Sequence, residues 1–201
     1  MSLHERERDG AAAPATATRE RLLSAAIDFV AEHGVGGLTL RRLAAATDTS
    51  HRMLIYHFGS KEGLLVAVVR AVEARQREAL ATLDLRPGDS PADAIRGMWQ
   101  RLADPALWPY ERLFFELYGQ ALQGYPGAVP LLDGIVDEWL DRTVELAACD
   151  GVPADVARVH ARLGLAVIRG LLLDLLATGD RAGADAAVEE FAARYQHGWP
   201  V

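Results

Sequence analysis

Hydrophobic residues recur at intervals of three and four positions along most of the chain, and no long stretch alternates strictly between apolar and polar residues. That spacing places apolar side chains on one face of an α-helix, so the pattern predicts an all-α fold. The first helix is predicted from about Thr16 or Thr18 to Glu32, because its apolar stripe starts at Leu22 and His33-Gly34 provides a stop. Residues 1–15, charged and then rich in Ala, Pro and Thr, are predicted to be a disordered arm.

Capping residues divide the following segment into short helices. Thr39 is a good N-cap, and Asp48-Thr49-Ser50 forms a polar turn with a second cap. Gly59-Ser60 breaks the chain again before a long fourth helix. Helices two to four are therefore predicted at about 40–46, 51–57 and 61–82.

A linker is predicted at Arg86–Pro91, where Pro, Gly and Asp cluster. Five further helices are predicted beyond it, at about 91–102, 109–123, 129–148, 153–177 and 184–196. The domains expected from this pattern are a unit of short helices over 16–65 and a larger helical body over 66–201.

Residues 38–65 are the most informative stretch of the sequence. Two short helices joined by a tight turn are the layout of a helix-turn-helix, which places its second helix in the major groove of DNA. The distribution of charge is compatible with this interpretation. Residues 1–70 have a balance of +1 and residues 71–201 a balance of −8, which suits a protein that touches phosphate at one end. An acidic body that merely aids solubility explains the charge equally well.

The sequence indicates a cytoplasmic protein with no membrane partner. Cys149 is the only cysteine, so no disulfide forms within one chain. The N-terminal residues lack the apolar run of a signal peptide. The apolar stretch Leu163–Leu176 is too short to span a bilayer, and Arg169 and Asp174 interrupt it.

The chain resembles the TetR-type transcriptional regulators most strongly over Arg19–Leu65. The run Tyr56-His57-Phe58-x-x-Lys61-x-x-Leu64 carries the resemblance, together with Thr39 at the start of the second helix. A second, weaker similarity covers Arg169–Asp180, which looks like a dimerising helix. The resemblance implies an all-helical homodimer whose three-helix N-terminal head binds DNA and whose long fourth helix leads to a ligand-binding and dimerisation body.

Two positions depart from the pattern of that family. Asp48 stands in the turn where the family usually has Gly, and Asp tolerates the left-handed conformation better than most residues. Ile55 stands where the family usually has a Tyr that reaches a phosphate. Other groups of the head must then supply more of the phosphate contact, or the affinity for DNA is lower.

Candidate DNA contacts follow from the chemistry of each position. The amides at the N-terminus of the second helix attract phosphate, as does the positive charge of Lys61. Arg52 lies at the end of the third helix that reaches base edges, where a guanidinium makes two hydrogen bonds to guanine. Each of these residues is otherwise an ordinary exposed side chain. The predicted DNA contacts are Thr39, Arg41, Thr49, Ser50, His51, Arg52, Met53, Tyr56, His57 and Lys61.

Aromatic residues crowd the middle of the chain. By the resemblance they line an effector cavity, whereas aromatic residues at helical spacing also occur as plain core. Arg169 and His160 lie among apolar neighbours and suit a polar anchor for a ligand, although Arg169 also suits a pair with a carboxylate such as Asp174. The predicted ligand contacts are Trp99, Phe115, Tyr118, Trp139, His160 and Arg169.

The last two predicted helices have wide apolar faces that suit a four-helix seam with a second chain. Packing within one chain is the alternative for each residue. The predicted dimer contacts are Leu163, Val167, Leu171, Leu175, Val188 and Phe191.

The sequence favours a ligand-responsive repressor of a pseudo-palindromic operator, released by a small apolar effector. It contains no Glu-x-x-His pair for a di-iron bundle, no Gly-x-Ser-x-Gly and no His-Glu-x-x-His, so neither an enzyme nor a metal or cofactor site is predicted. The alternative functions are a helical adaptor that binds only protein, having lost DNA binding, and a helical-bundle enzyme.

Overall fold

The computed structural model describes residues 3–34, 38–81, 90–148 and 151–199, and all regular secondary structure within these ranges is helical. In chain order the α-helices are α1 (Leu3–His33), α2 (Leu40–Ala46), α3 (His51–Phe58), α4 (Lys61–Ala81), α5 (Pro91–Leu102), α6 (Trp108–Leu122), α7 (Asp137–Ala148), α8 (Ala154–Thr178) and α9 (Arg181–Ala192). Short 3-10 turns precede α6 and α7 and follow α9, at Pro105–Leu107, Val129–Leu132 and Ala193–Tyr195.

The predicted all-α class is confirmed, and the largest differences from the sequence-based expectation are at the start of α1 and in the helix predicted over 129–148. Helix α1 begins at Leu3, so residues 3–15 of the predicted arm are helical, whereas Met1 and Ser2 lie outside the described residues. Ala, Glu and Arg, which dominate this segment, are strong helix formers. Most of the predicted linker, residues 86–89, also lies outside the described ranges.

The helix predicted over 129–148 is divided. Val129–Leu132 forms a 3-10 turn, the chain then bends at Gly134 with φ of +72°, and α7 begins at Asp137. Gly adopts this left-handed conformation without the steric cost that a Cβ atom brings. The break aims the carbonyls of Pro130 and Asp133 at α4, where Nη2 of Arg70 donates to both oxygens.

One hydrophobic core joins the N-terminal helices to the body. Buried side chains of α1 to α4, such as Leu22, Leu43 and Leu54, belong to the same cluster as Leu113 and Leu117 of α6. The hydroxyl of Tyr110 adds a hydrogen bond of 3.0 Å to the carbonyl of Ile27 on α1. The first four helices therefore pack as part of a larger unit.

A second core fills the space between α5, α8 and α9. Trp99 is its largest side chain, packed with Leu172 and Leu175 of α8 and with Val188 of α9. A third, smaller cluster joins the start of α5 to the chain end, through Phe191 and Tyr195 among others. Helix α9 is thus held to α5 through both clusters, and α8 through its C-terminal half.

Candidate functional site

Side-chain caps begin both helices of the helix-turn-helix, α2 and α3. The hydroxyl oxygen of Thr39 accepts a hydrogen bond from the amide of Arg42 at 3.1 Å, and that of Ser50 accepts from the amide of Met53 at 3.1 Å. Asp48, between the two helices, has φ of +47°. The left-handed turn that the family pattern fills with Gly is therefore kept with Asp, as the sequence analysis anticipated.

Helix α3 presents one face to solvent and buries the other. Leu54 and Phe58 are buried in the shared core, while Met53 and Tyr56 remain 37% and 74% exposed. His51 and Arg52 at the N-terminal end of α3 are exposed as well. A short helix held by two apolar residues, with polar and aromatic side chains pointing outward, has the form needed to enter a groove.

The ten predicted DNA contacts fall on one end of the molecule, with different degrees of exposure. The exposed ones are Thr39, Arg41, Ser50, His51, Arg52, Met53 and Tyr56, and the half-buried ones are Thr49, His57 and Lys61. The Nε2 atom of His57 is buried and has no hydrogen-bond partner among the described residues. This nitrogen is therefore shielded from solvent in this conformation, and the ring contacts those of Tyr56 and Phe58.

The start of α4 completes this end of the molecule. The hydroxyl oxygen of Ser60 accepts from the amide of Gly63 at 2.9 Å, which places Lys61 in the first turn. Ile55 is 36% exposed at the position where the family usually has Tyr, so an apolar side chain replaces the phenol hydroxyl there. The sequence analysis missed the cation–π contacts of Arg19 over Phe58 and of Arg42 over Phe29, which pack two arginines against the aromatic residues of the head.

The predicted ligand contacts are not all brought together. Trp99 is 1% exposed in the second core, and its Nε1 donates to Oδ1 of Asp185 at 2.6 Å. The Nδ1 atom of His160 lies 3.0 Å from the hydroxyl of Tyr195, near the chain end. Trp99 and His160 therefore lie in other parts of the body than Tyr118, Trp139 and Arg169. Which of these residues meet depends on how the helices pack, and their aromatic character does not determine it.

A buried polar cluster lies between α4, α6, α7 and α8. Its centre is Glu73 of α4, whose Oε2 accepts from Nε1 of Trp139 at 2.6 Å and from Nη2 of Arg169 at 3.4 Å. Arg169 also donates to the carbonyl of Ile135 at 3.0 Å, and its guanidinium lies 4.9 Å from the ring centre of Phe114. The carboxylate that pairs with Arg169 is thus Glu73, not the Asp174 considered from the sequence.

The second part of the cluster is a carboxyl–amide pair. Nε2 of Gln76 donates to Oε1 of Glu111 at 3.0 Å, and both residues are 4% exposed. Burial, reinforced by the charge of Glu73, raises the pKa of Glu111 to about 8. Burial also raises the pKa of Glu73 and lowers that of Arg169, although their attraction opposes both shifts.

Sequence reasoning missed Glu73, Gln76 and Glu111 altogether. A signal for two of them was present, because Val69, Glu73 and Gln76 follow one another at helical spacing on the buried side of α4. Polar residues on an otherwise apolar stripe indicate a buried partner. Nothing in the sequence indicated that this partner lay on α6.

The predicted dimer contacts divide into two groups. Leu175, Val188 and Phe191 are buried inside the single chain, so packing within the chain, the stated alternative, holds for these three. Val167 and Leu171 are half-buried, and Leu163 is 47% exposed. The exposed apolar and small residues of α8 include only Leu163 of the predicted contacts. They are Val159, Leu163, Ala166, Gly170, Leu173 and Ala177. They recur every three or four positions, which makes one continuous face.

Within the described residues, no helix has the length and apolar character needed to cross a membrane. The same residues contain no group of three or more His, Cys, Asp or Glu side chains arranged to hold a metal ion.

Comparison with known proteins identifies the head. Residues 22–68 match the family model of bacterial regulatory proteins, tetR family. The HTH-type transcriptional repressor AcnR of Corynebacterium glutamicum is 34% identical over 105 residues, which cover 52% of this chain and 51% of that protein. The chain thus spans about half the length of the first curated relatives that it matches.

A longer match extends the similarity into the body. AcnR of Corynebacterium diphtheriae is 30% identical over 169 residues, covering 81% of this chain and 83% of that protein. The chain belongs to the tetR family. The similarity predicted from Tyr56-His57-Phe58 and its neighbours is therefore confirmed, and this TetR-family chain belongs among regulatory proteins rather than enzymes.

Solved structures agree with the TetR fold. A transcriptional regulator from Rhodococcus sp. Rha1 matches with a TM-score of 0.67 at 20% identity, over 88% of this chain and 95% of that one. BioQ, solved with its natural double-stranded DNA operator, matches with a TM-score of 0.54 at 23% identity, over 87% and 98%. At these identities the two structures support the fold alone.

Proposed function

We propose that this TetR-family protein is a homodimeric repressor that binds a pseudo-palindromic operator and is released by a small, largely apolar effector. The observation that carries the proposal is the capped turn between α2 and α3, which holds α3 with His51 and Arg52 exposed and with Leu54 and Phe58 buried. Such a helix enters a major groove with its N-terminal residues at the base edges. The named repressors among the relatives support the same function.

Dimerisation through α8 supplies the symmetry that a palindrome requires. The exposed face from Val159 to Ala177 carries small and apolar residues, and α9 adds exposed Ala182, Ala186 and Ala187 beside it. Small residues let two helix pairs approach closely, which favours a four-helix seam between two copies. Two recognition helices held in this way contact half-sites about 34–36 Å apart, one turn of the duplex.

Helix α4 links the effector region to the head. Its N-terminal half packs with α1 and α3, and its C-terminal half carries Glu73 and Gln76 into the buried cluster. An effector that prefers one arrangement of this cluster shifts α4 and spreads the two heads. The change in DNA affinity is limited by the effector's preference between the two states, typically about 1–3 kcal/mol.

Selection from random duplex DNA tests the proposal. We expect the purified protein to enrich a pseudo-palindrome, and the binding constant to fall steeply as salt rises. Arg52→Ala weakens binding by about 1–3 kcal/mol and relaxes the preference at one position of each half-site. Arg101→Ala, which removes an exposed arginine of α5 in the body, leaves the selected sequence unchanged. Failure to enrich any sequence would favour the protein-binding adaptor instead.

A further inference from the structure

The groups around Glu111 do not satisfy one another. Gln76 is 4% exposed, and its Nε2 donates to Glu111, but its Oε1 has no hydrogen-bond partner among the described residues. A buried amide oxygen without a donor costs free energy comparable to a lost hydrogen bond. The cluster therefore lacks a hydrogen-bond donor at this oxygen.

Most of the positive charge of the cluster is engaged by other carboxylates. Arg169 pairs with Glu73 at 3.4 Å, and Nη2 of Arg77 pairs with Glu138. Nη1 of Arg77 lies 4.0 Å from Glu73 and is buried without a hydrogen-bond partner among the described residues. The charged groups that act on Glu111 are Glu73 of α4, which repels its ionised form, and Arg169 of α8, which attracts it. Repulsion and burial prevail, and the pKa of about 8 leaves Glu111 mostly protonated at neutral pH. A buried carboxylic acid of this kind ionises when a cation arrives.

We propose that Gln76 and Glu111 bind the protonated nitrogen of a small aromatic cation, an amidine or an amine, as the effector of this protein. The inference rests on the proposed function, since it names the chemical class of the ligand that acts on α4. One N–H of the ligand donates to Oε1 of Gln76 and a second to the carboxylate of Glu111. The proton of Glu111 passes to solvent, so the bound pair is a carboxylate and a cation.

The carboxyl groups of the cluster favour a cation over an anion. The guanidinium of Arg169 lies 4.9 Å from the ring centre of Phe114 and 6.0 Å from that of Tyr118, so these two ring faces already hold a cation. An anionic ligand would instead meet the carboxyl groups of Glu73 and Glu111 in a buried setting, which is unfavourable.

Three probes of one shape and different charge test the proposal. Benzamidinium, benzamide and benzoate carry charges of +1, 0 and −1 on nearly the same planar frame. Isothermal titration of the full-length protein at pH 7, in two buffers of different ionisation enthalpy, gives affinity and proton release together. We expect benzamidinium to bind at least ~10-fold more tightly than benzamide, with release of close to one proton, and benzoate not to bind. The affinity for benzamidinium should rise about tenfold between pH 7 and pH 9, as Glu111 ionises.

Two matched variants test whether Glu111 is the group that distinguishes the probes by charge and releases the proton. Glu111→Gln keeps the shape of the side chain but removes the ionisable group, so benzamidinium and benzamide should bind alike and no proton should be released. Glu116→Gln, an exposed position of the same helix, should behave as the wild type. Circular dichroism confirms that both variants are folded. The proton count of the wild type decides the question even if Glu111→Gln does not fold.

The inference is overturned if the three probes bind equally, if none binds at millimolar concentration, or if benzamidinium binds without proton release. Operator selection by the same preparation separates this failure from that of the proposed function. If the protein selects a DNA sequence but binds the three probes equally, only the proposed cation site is ruled out. Charge discrimination without DNA selection removes the repressor function and leaves the cation site supported.

Discussion

The indole nitrogen of Trp139 donates a hydrogen bond of 2.6 Å to Oε2 of Glu73, across 66 positions of sequence. This bond joins α7 to the long helix that carries the head. The same oxygen also accepts a hydrogen bond from Arg169 of α8, so the carboxylate of Glu73 joins α4, α7 and α8. Glu73 therefore ties α4 to both α7 and α8 at one point of the body.

Trp139→Phe removes the donor and keeps most of the ring. Glu73 then loses its shortest hydrogen bond in a buried setting, and we expect the free energy of unfolding to fall by about 1.5–3 kcal/mol. Urea denaturation at a fixed protein concentration measures the change. Trp108→Phe is the control, because its Nε1 donates to a backbone carbonyl at 3.3 Å at a half-buried site, and it should cost about 1 kcal/mol or less. Equal losses in the two variants would contradict the role of Glu73.

The raised pKa of Glu111 predicts how stability depends on pH. In the folded state the pKa of Glu111 is about 8, whereas the ordinary pKa of a glutamate is 4.5, so the folded state binds more protons than the unfolded state between these two pH values. Stability from this group is complete below pH 4.5 and is lost as the pH rises toward 8 and beyond. Glu73, whose pKa burial also raises, contributes in the same direction.

Glu111→Gln should make the dependence on pH shallower. We expect the variant to gain stability over the wild type as the pH rises from 5 to 9, because an uncharged amide replaces a group that must ionise while buried. Urea titrations at several pH values, with Glu116→Gln as the control, measure the two slopes. An unchanged slope in Glu111→Gln would show that the carboxyl group titrates normally.

A close approach between the body and the head predicts opposite effects of two glycine substitutions. A Cβ atom on Gly127 would lie 2.6 Å from the Cβ atom of Glu62, in the first turn of α4. Gly127→Ala therefore pushes the loop after α6 away from the head and should destabilise the protein by about 1–3 kcal/mol. Gly119→Ala, within α6 and with no atom near the added methyl, should stabilise it by up to about 1 kcal/mol. Thermal melts of the two variants give the signs, and a loss in both would refute the steric explanation.

The exposed face of α8 predicts the effect of a charge on assembly. Leu173 lies in the middle of that face and is 50% exposed. Leu173→Glu places a carboxylate in each half of the proposed seam, so the dimer should dissociate at micromolar concentration, because burying an unpaired charge is costly. Light scattering coupled to size-exclusion chromatography measures the mass. Leu122→Glu, at a 67% exposed leucine of α6, should leave the mass unchanged. A dimeric Leu173→Glu variant would place the interface elsewhere.

The head was predictable from sequence because its signals are local. Thr39 and Ser50 act on amides three residues away, and each cap is visible in the sequence as a polar residue before an apolar run. The turn at Asp48 follows from the same local chemistry. The limits of α2 were predicted without error, and α3 extends only one residue further than expected, to Phe58.

The body was harder to predict because its contacts join distant helices. The link between Gln76 and Glu111 depends on how α4 crosses α6, which no spacing along one helix specifies. The dimer prediction met a related difficulty. Helix α8 is apolar on two sides, and the sequence does not show which side packs on α5 and α9 and which stays open.

The core that α1 to α4 share with α6 bears on how such proteins can be recombined. Leu113 and Leu117 of α6 pack in the same core as the helices of the head. The domain boundary predicted after residue 65 is therefore not a boundary in the hydrophobic core. A chimaera that transplants residues 16–65 onto a foreign body would leave these leucines facing an unmatched surface. Exchange of DNA specificity between relatives should therefore be made by replacing the outward residues of α3, or by moving α1 to α4 together with the face of α6 beneath them.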